Sequence, residues 1–254
     1  MFTQIKTAQE IEAMRTSGAM LAAILELVER SARVGMTTKD LAVIAADELK
    51  RLGGKPSFLG YAGATPFPDV ICISLNDEVV HGIPSANQSL RAGDLVSIDF
   101  GVTYDGMVTD AARSFILGNE AKAQVKKLVR DTEAAMYAGI EALHDGVRVG
   151  DIASAIQKVL VKGGYGIVRD LVGHGVGHQL HEEPDIPNYG FAGSGPVLKA
   201  GMTIAIEPMA TLGTHAVTVD DDHWTIRTAD GSLAAHFENT ILITGRGFEI
   251  LTQK

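Results

Sequence analysis

LVSIDFG at 95–101, returning as MVTD at 107–110, is the stretch on which the reading of the fold turns. Alternation sends Val96, Ile98 and Phe100 to one face of a strand and Ser97 and Asp99 to the other. A turn around Tyr104, Asp105 and Gly106 then brings the chain back through Asp110. A two-residue hairpin loop sets Asp110 opposite or diagonal to Asp99 on the same face, whereas a three-residue loop without a bulge sets the two on opposite faces. Like charges facing each other across strands are destabilising, so a same-face pair either shares a proton or holds a cation. The bland alternative is a pair of solvated surface aspartates.

On the N-terminal side of this hairpin, Thr7 with Glu10 forms a capping-box pattern. Ile11, Met14, Met20, Leu21, Ile24, Leu27 and Val28 follow at helical spacing, with a stop near Gly35. A second helix is expected from about Thr38 to Leu52, carrying Leu41, Ile44, Ala45 and Leu49 and ended by Gly53 and Gly54. Short β-branched runs at Val70–Leu75, Glu78–Val80, Asp94–Thr103 and Met107–Phe115 read as strands. From about Glu120 the order repeats. A helix is expected to Leu143 and another from Asp151 to Lys162, then strands near 166–172, 202–208, 213–219 and 236–243. Helix, helix and strands twice over predict a pseudo-symmetric α+β arrangement with any site between the halves drawing on both. No Pro- or Ser-rich linker interrupts residues 1–254, which read as a single domain.

The chain has 254 residues, 46% of them hydrophobic and 21% charged, the balance of an ordinary globular protein. Net charge is −9 and no basic cluster exceeds Lys126–Lys127, which argues against nucleic-acid binding. Cys72 is the only cysteine, so no intramolecular disulfide forms, and a reducing compartment, the cytoplasm, is expected. MFTQIKTAQEIEAMR has neither signal-peptide nor transit character, and no apolar run approaches the roughly 18 residues of a membrane helix.

Three further segments carry ionisable groups where strands are expected. In VGHGVGH at 172–178, alternating glycines leave the imidazole of His174 open to close approach. His174 and His178 have the spacing of a zincin helix, but Gly175 stands where that motif has Glu and three glycines oppose a helix, so the zincin reading fails. His181, Glu182, Glu183 and Pro184 follow directly. In GMTIAIEPM at 201–209, Glu207 is the only ionisable side chain of an apolar strand, and Glu238 in AAHFENTILI opens another. A buried carboxylate needs an Arg or a metal. Asp99, Asp110, His174, Glu207 and Glu238 form an oxygen-dominated set without thiolate, unlike a structural zinc site. Four carboxylates balance about two divalent cations. Such a pair shares a water, lowers its pKa and polarises a carbonyl, the chemistry of amide hydrolysis.

The chain resembles the type I methionine aminopeptidases of the pita-bread fold almost end to end. ICISLNDEVVHGIP at 71–84, SIDFG at 97–101, TDAARSF at 109–115, GHGVGHQLHEEP at 173–184, GMTIAIEPM at 201–209 and HFENTI at 236–241 carry the resemblance. It implies a pseudo-two-fold repeat of two helices and antiparallel strands around a central curved sheet. It also implies that Asp99 chelates one metal, that Asp110 and Glu238 bridge the pair, and that His174 and Glu207 complete the other. Glu207 would also be the general base, His81 would bond the scissile nitrogen and His181 the carbonyl oxygen. Tyr61, Phe67, Cys72, Leu180 and Trp224 stand near a pocket for the first side chain, where apolar walls suit a thioether; for each, ordinary core packing is the alternative. The resemblance implies two divalent cations, with manganese, iron, cobalt or zinc all tolerated by such ligands. It further implies a monomer acting on nascent chains that begin with Met and a small second residue. Residues 60–67 are a little longer than the family's usual loop, and Asn239 replaces its commoner His, which affects pocket shape. Competing readings are an aminopeptidase P or prolidase, which normally has an added N-terminal domain, a non-catalytic relative of the same fold, and a dinuclear phosphatase.

Overall fold

The computed structural model describes residues 2–118 and 120–253. Thr7 caps the first helix, α1 (Ala8–Ser31), as expected: its side chain accepts from Glu10 N–H while the Glu10 carboxylate accepts from Thr7 N–H at 2.7 Å. The second, α2 (Thr38–Leu52), starts on a like box between Thr37 and Asp40 and ends at Gly53, whose φ of 82° is the left-handed cap that glycine accommodates. There follow β1 (Lys55–Pro56), β2 (Cys72–Leu75), β3 (Glu78–Val80), β4 (Leu95–Tyr104) and β5 (Met107–Ile116).

The loop joining β4 and β5 has two residues, Asp105 and Gly106, both with positive φ, the geometry that matches the twist of a tight hairpin. Gly101 therefore faces Asp110, and Asp99 faces Ala112. Asp110 and Asp99 are diagonal neighbours on one face, the same-face alternative of the sequence reading. Val96, Ile98 and Phe100 point the other way into the core beneath α1 and α2.

The second half opens with α3 (Ala123–Glu141) and α4 (Val149–Gly163). The latter begins two residues before the expected start at Asp151, which is its third residue and accepts Arg148 N–H at 3.1 Å. Gly164 ends it with φ 78°, repeating Gly53. The remaining strands are β6 (Gly166–Ile167), β7 (Gly173–Gly175), β8 (Glu182–Ile186), β9 (Thr203–Ile206), β10 (Met209–Thr211), β11 (Val217–Val219), β12 (Ile226–Thr228), β13 (Ala234–His236), β14 (Asn239–Thr244) and β15 (Gly247–Ile250). The strands expected at 202–208 and 236–243 are each broken, the first at Glu207–Pro208 and the second at Phe237–Glu238. Pro208 has no N–H for a ladder, and the partner chain breaks at the same level, since Ile206 faces Asn239 and Met209 faces His236 on either side of the gap. The strands expected at 166–172 and 213–219 shrink to Gly166–Ile167 and Val217–Val219.

Among the described residues four hydrogen-bonded sheets result: β1–β4–β2 with β5 on β4, β13–β10–β6, β11–β12–β3, and β15–β14–β9–β7–β8. Two apolar cores mirror the two halves. One packs Leu21, Ile24 and Leu41 of the first helix pair on Ile73, Ile98 and Phe100. The other packs Leu128, Ile140, Ile152 and Ile156 of the second pair on Ile204 and Ile241. Each such buried side chain contributes about 1.5–3 kcal/mol. A bridge between Ala112 and Glu238 joins the halves at the middle.

One buried ion pair fixes the turn between β7 and β8. Lys6 Nζ lies 3.1 Å from Glu182 Oε2, both side chains almost wholly buried, while Glu182 Oε1 accepts the N–H groups of His178 and Gln179. Removing one partner strands the other charge. Lys6→Met is expected to destabilise the protein by about 3–5 kcal/mol in urea unfolding; a loss below about 1 kcal/mol, the value of an exposed pair, would refute the assignment.

Candidate metal centre

Asp99, Ala112 and Glu238 lie in one row across the sheet, because Asp99 faces Ala112 in the hairpin and Ala112 exchanges both backbone hydrogen bonds with Glu238. Cys72 extends the row beyond Asp99. Asp110, two residues from Ala112 on the same strand and face, completes a ring of three carboxylates around a small side chain. Its backbone is pinned on both sides by Thr240, whose Oγ1 accepts Asp110 N–H at 2.9 Å and donates to Asp110 O at 2.8 Å. Glu238 leaves the break between β13 and β14, and Glu207 the facing break between β9 and β10. Glu207 is thus not borne within a strand, as its apolar surroundings suggested, but at the interruption that turns it toward the others.

His174 comes from β7. Its glycine neighbours are needed for backbone packing: a Cβ at Gly173 would stand 2.4 Å from Ala205 O, and one at Gly175 2.7 Å from Glu183 O. They admit neighbouring strands, not groups approaching the imidazole as the spacing had suggested. His174 Nδ1 lies 2.9 Å from Gly175 O and donates to it, so Nε2 turns its lone pair inward, 3.5 Å from Glu207 Oε1. His181, on the turn after β7, stacks edge-on to His174 at 4.3 Å between ring centres. His81 follows β3 with φ 61°, a left-handed conformation costly for a side-chain-bearing residue and concentrated at functional sites.

All twelve residues singled out as catalytic, metal-binding or pocket-lining line one cavity of about 90 Å³, together with Phe58. Asp99, Asp110, His174, Glu207 and Glu238 form one end, with His81 and His181 beside them. Phe58, Phe67, Cys72, Leu180 and Trp224 pack together as the apolar end. Trp224 meets Phe67 edge-on at 5.2 Å and is held by Nε1–H donation to Thr65 O at 2.9 Å. Tyr61, expected only as a pocket wall, also reaches His181 Nδ1 with its hydroxyl at 2.6 Å.

Burial, reinforced by Asp110 and Glu207, holds the Asp99 carboxyl well above its usual range. Glu207 and Glu238 are raised for the same reasons, and burial pushes Asp110 up to about 7. His174 and His236 are lowered to about 3, and His81 to about 4, chiefly because burial disfavours the cation. Among the described residues no Lys or Arg lines the cavity, so the Arg pairing considered for these carboxylates is not found. Buried oxygens of Asp99, Asp110 and Glu238 have no hydrogen-bond partner. Four carboxylates without compensating cations, with unpartnered oxygens turned inward and neutral imidazole donors beside them, fit divalent metal.

Ligand atoms approach within 4.8 Å of one another in two triads, Asp110–His174–Glu238 and Glu207–His236–Glu238, which share Glu238. Asp99 belongs to neither triad. His236 was not among the expected site residues. Its place two residues before Glu238, on the same face of an alternating run, was the available signal.

Residues 12–245 match the family model described as Metallopeptidase family M24. The methionine aminopeptidase of Clostridium acetobutylicum is 46% identical over 248 residues, 98% of each chain. A crystal structure of methionine aminopeptidase from Thermotoga maritima is 44% identical, covers 100% of both chains and superposes with a TM-score of 0.96. The prolidase from Pyrococcus furiosus, 24% identical, shares the pita-bread fold at a TM-score of 0.78, and this chain spans 65% of its length.

Proposed function

The chain belongs to metallopeptidase family M24, and on that premise we infer that it is a metal-dependent aminopeptidase removing the N-terminal methionine from newly made proteins. The observation that carries this reading is the cavity in which the buried carboxylates of Asp99, Asp110 and Glu238, the partly buried one of Glu207 and three imidazoles adjoin an aromatic and thiol-lined recess. Full-length identity to methionine aminopeptidases supports the same substrate.

Asp99, Asp110, His174, Glu207 and Glu238 would hold two divalent cations. Manganese, iron, cobalt and zinc all suit that donor set. Bound there, divalent metal supplies Lewis acidity toward the scissile carbonyl and lowers the pKa of a water to near neutrality. Glu207 takes the proton of the attacking water and passes it to the leaving nitrogen. His81 bonds that nitrogen. The Tyr61 hydroxyl, whose pKa burial raises, stays protonated and donates to His181 Nδ1, which puts the ring proton on Nε2, where it meets the carbonyl oxygen as charge develops. The recess formed by Phe67, Cys72, Leu180 and Trp224 receives the unbranched thioether, and Phe58 closes one side. Substrates are nascent chains with a small second residue.

Among the described residues no helix is long and apolar enough to cross a membrane. A cytoplasmic monomer acting as one catalytic domain is the setting proposed for it.

Hydrolysis of Met-Ala-Ser, Leu-Ala-Ser and Ala-Pro-Ala by metal-stripped protein, repeated with each divalent metal, tests the reading. Metal-dependent release of methionine alone is expected. Cleavage before proline would move the specificity to the prolidase class, and silence with every metal, with binding and folding confirmed, would leave a non-catalytic relative.

A further inference from the structure

Glu207 stands between two imidazoles. Its Oε1 is 3.5 Å from His174 Nε2 and its Oε2 is 3.5 Å from His236 Nε2. The two rings differ in one respect. His174 commits Nδ1–H to Gly175 O, which leaves Nε2 as a lone pair. Both ring nitrogens of His236 are buried without a partner. Its backbone, by contrast, is tightly set: His236 N–H donates to Ser114 Oγ at 2.9 Å, and Ser114 Oγ donates to His236 O at 2.8 Å. The ring is therefore carried to its place by β13 and aimed at Glu207.

We propose that His236 is a positioning residue for Glu207, donating Nε2–H to Oε2 so that the carboxylate is held in the orientation from which it accepts the water proton. The alternative is a further metal ligand beside Glu207 and Glu238. Ligating imidazoles almost always donate their other N–H to an acceptor. Were His236 to ligate through Nε2, its Nδ1–H would be a buried donor with no acceptor, the rarer and costlier kind of orphan; donation through Nε2–H leaves only a lone pair unmet. The separation of 3.5 Å is at the outer limit of a hydrogen bond and closes by rotation within the Glu207 side chain. Such contacts commonly tighten once ligands are bound.

The assignment rests on Glu207 as general base, and the test separates the two. Full-length protein labelled with ¹⁵N-histidine is compared, metal-free and zinc-loaded, with His236→Leu and His236→Gln. The signals missing from His236→Leu identify the ring, and an Nε2–H tautomer in both states is expected. Conversion to the Nδ1–H tautomer on zinc binding would make His236 a ligand and overturn the proposal. With Met-Ala-Ser, His236→Leu is expected to lower kcat by about 10–100-fold with KM nearly unchanged and zinc stoichiometry intact. His236→Gln should restore kcat to within about threefold, because its amide N–H has the same reach as Nε2. A His236→Leu enzyme with unchanged kcat, loss of a zinc equivalent, or Gln no better than Leu would each refute it. Should Glu207→Gln keep full turnover, the base assignment fails, while the tautomer still reports the His236 contact.

Discussion

Glu207→Gln is expected to fold, bind metal and hydrolyse Met-Ala-Ser about 10²–10⁴-fold more slowly, the contribution of a positioned general base. The amide oxygen keeps an electron pair for a cation, but the side chain has no site for the water proton and so cannot carry it to the leaving nitrogen. Because Glu207 has both proposed roles, metal content is measured on the same sample by elemental analysis. With metal content equal, lower kcat at nearly unchanged KM assigns the loss to proton transfer. Activity within a few-fold of the parent at equal metal content would remove Glu207 from the mechanism.

Stripping the metal is expected to abolish turnover and to make stability fall between pH 7 and 9. In the metal-free protein Asp110 titrates near 7, and Asp99, Glu207 and Glu238 lie well above their ordinary values of 3.8 or 4.5. A carboxyl raised in the folded state adds stability that is complete below its unfolded pKa and is lost as pH rises through its folded one. The histidines act in the opposite sense at lower pH. His81, His174 and His236 are depressed below the ordinary 6.5, so they cost stability as pH falls through about 6.5 and do not contribute above 7. One proton held by the folded state alone corresponds to about 1.4 kcal/mol per pH unit. Stability and Tm of the metal-free protein therefore fall as pH rises past neutrality, for as long as a raised carboxyl still holds its proton. Divalent metal competes with those protons and should stabilise more at pH 9 than at pH 7. Scanning calorimetry of the chelated and metal-loaded protein decides it: a Tm independent of pH over this range without metal, or an equal metal-induced rise at both pH values, would contradict a carboxylate cage.

Much of the architecture was legible because local chemistry dictates it. Thr7 and Glu10 satisfy the free N–H groups of a helix start wherever the chain goes afterwards, and Gly53 relieves the left-handed residue at a helix end. Asp105–Gly106 accepts positive φ at both positions, and from that turn alone the diagonal of Asp99 and Asp110 follows. Local rules failed where two distant segments decide together. The same pattern that made Glu207 and Glu238 read as strand residues is interrupted in the fold, because Pro208 cannot donate and the facing chain breaks at the same level. Asp151 read as the first residue of its helix but is the third, its carboxylate accepting N–H groups from Arg148 and from Gly193 in a distant loop.

The sequence by itself determined the two helix pairs, the hairpin turning near Asp105–Gly106, and the kinds of side chain available to hold metal, since each depends on neighbours a few residues apart; the two-residue loop of the folded hairpin then set Asp99 and Asp110 on one face. Only the tertiary structure decided which carboxylates meet. Glu238 reaches Asp99 and Asp110 through Ala112, 126 positions away in the chain. Tyr61 finds His181, Glu182 finds Lys6, and His236 finds Glu207 across separations that periodicity cannot encode. Those meetings are set by how two apolar cores press their sheets together, and the electrostatic cost of gathering unpaired carboxylates there is borne by the packing of the whole molecule.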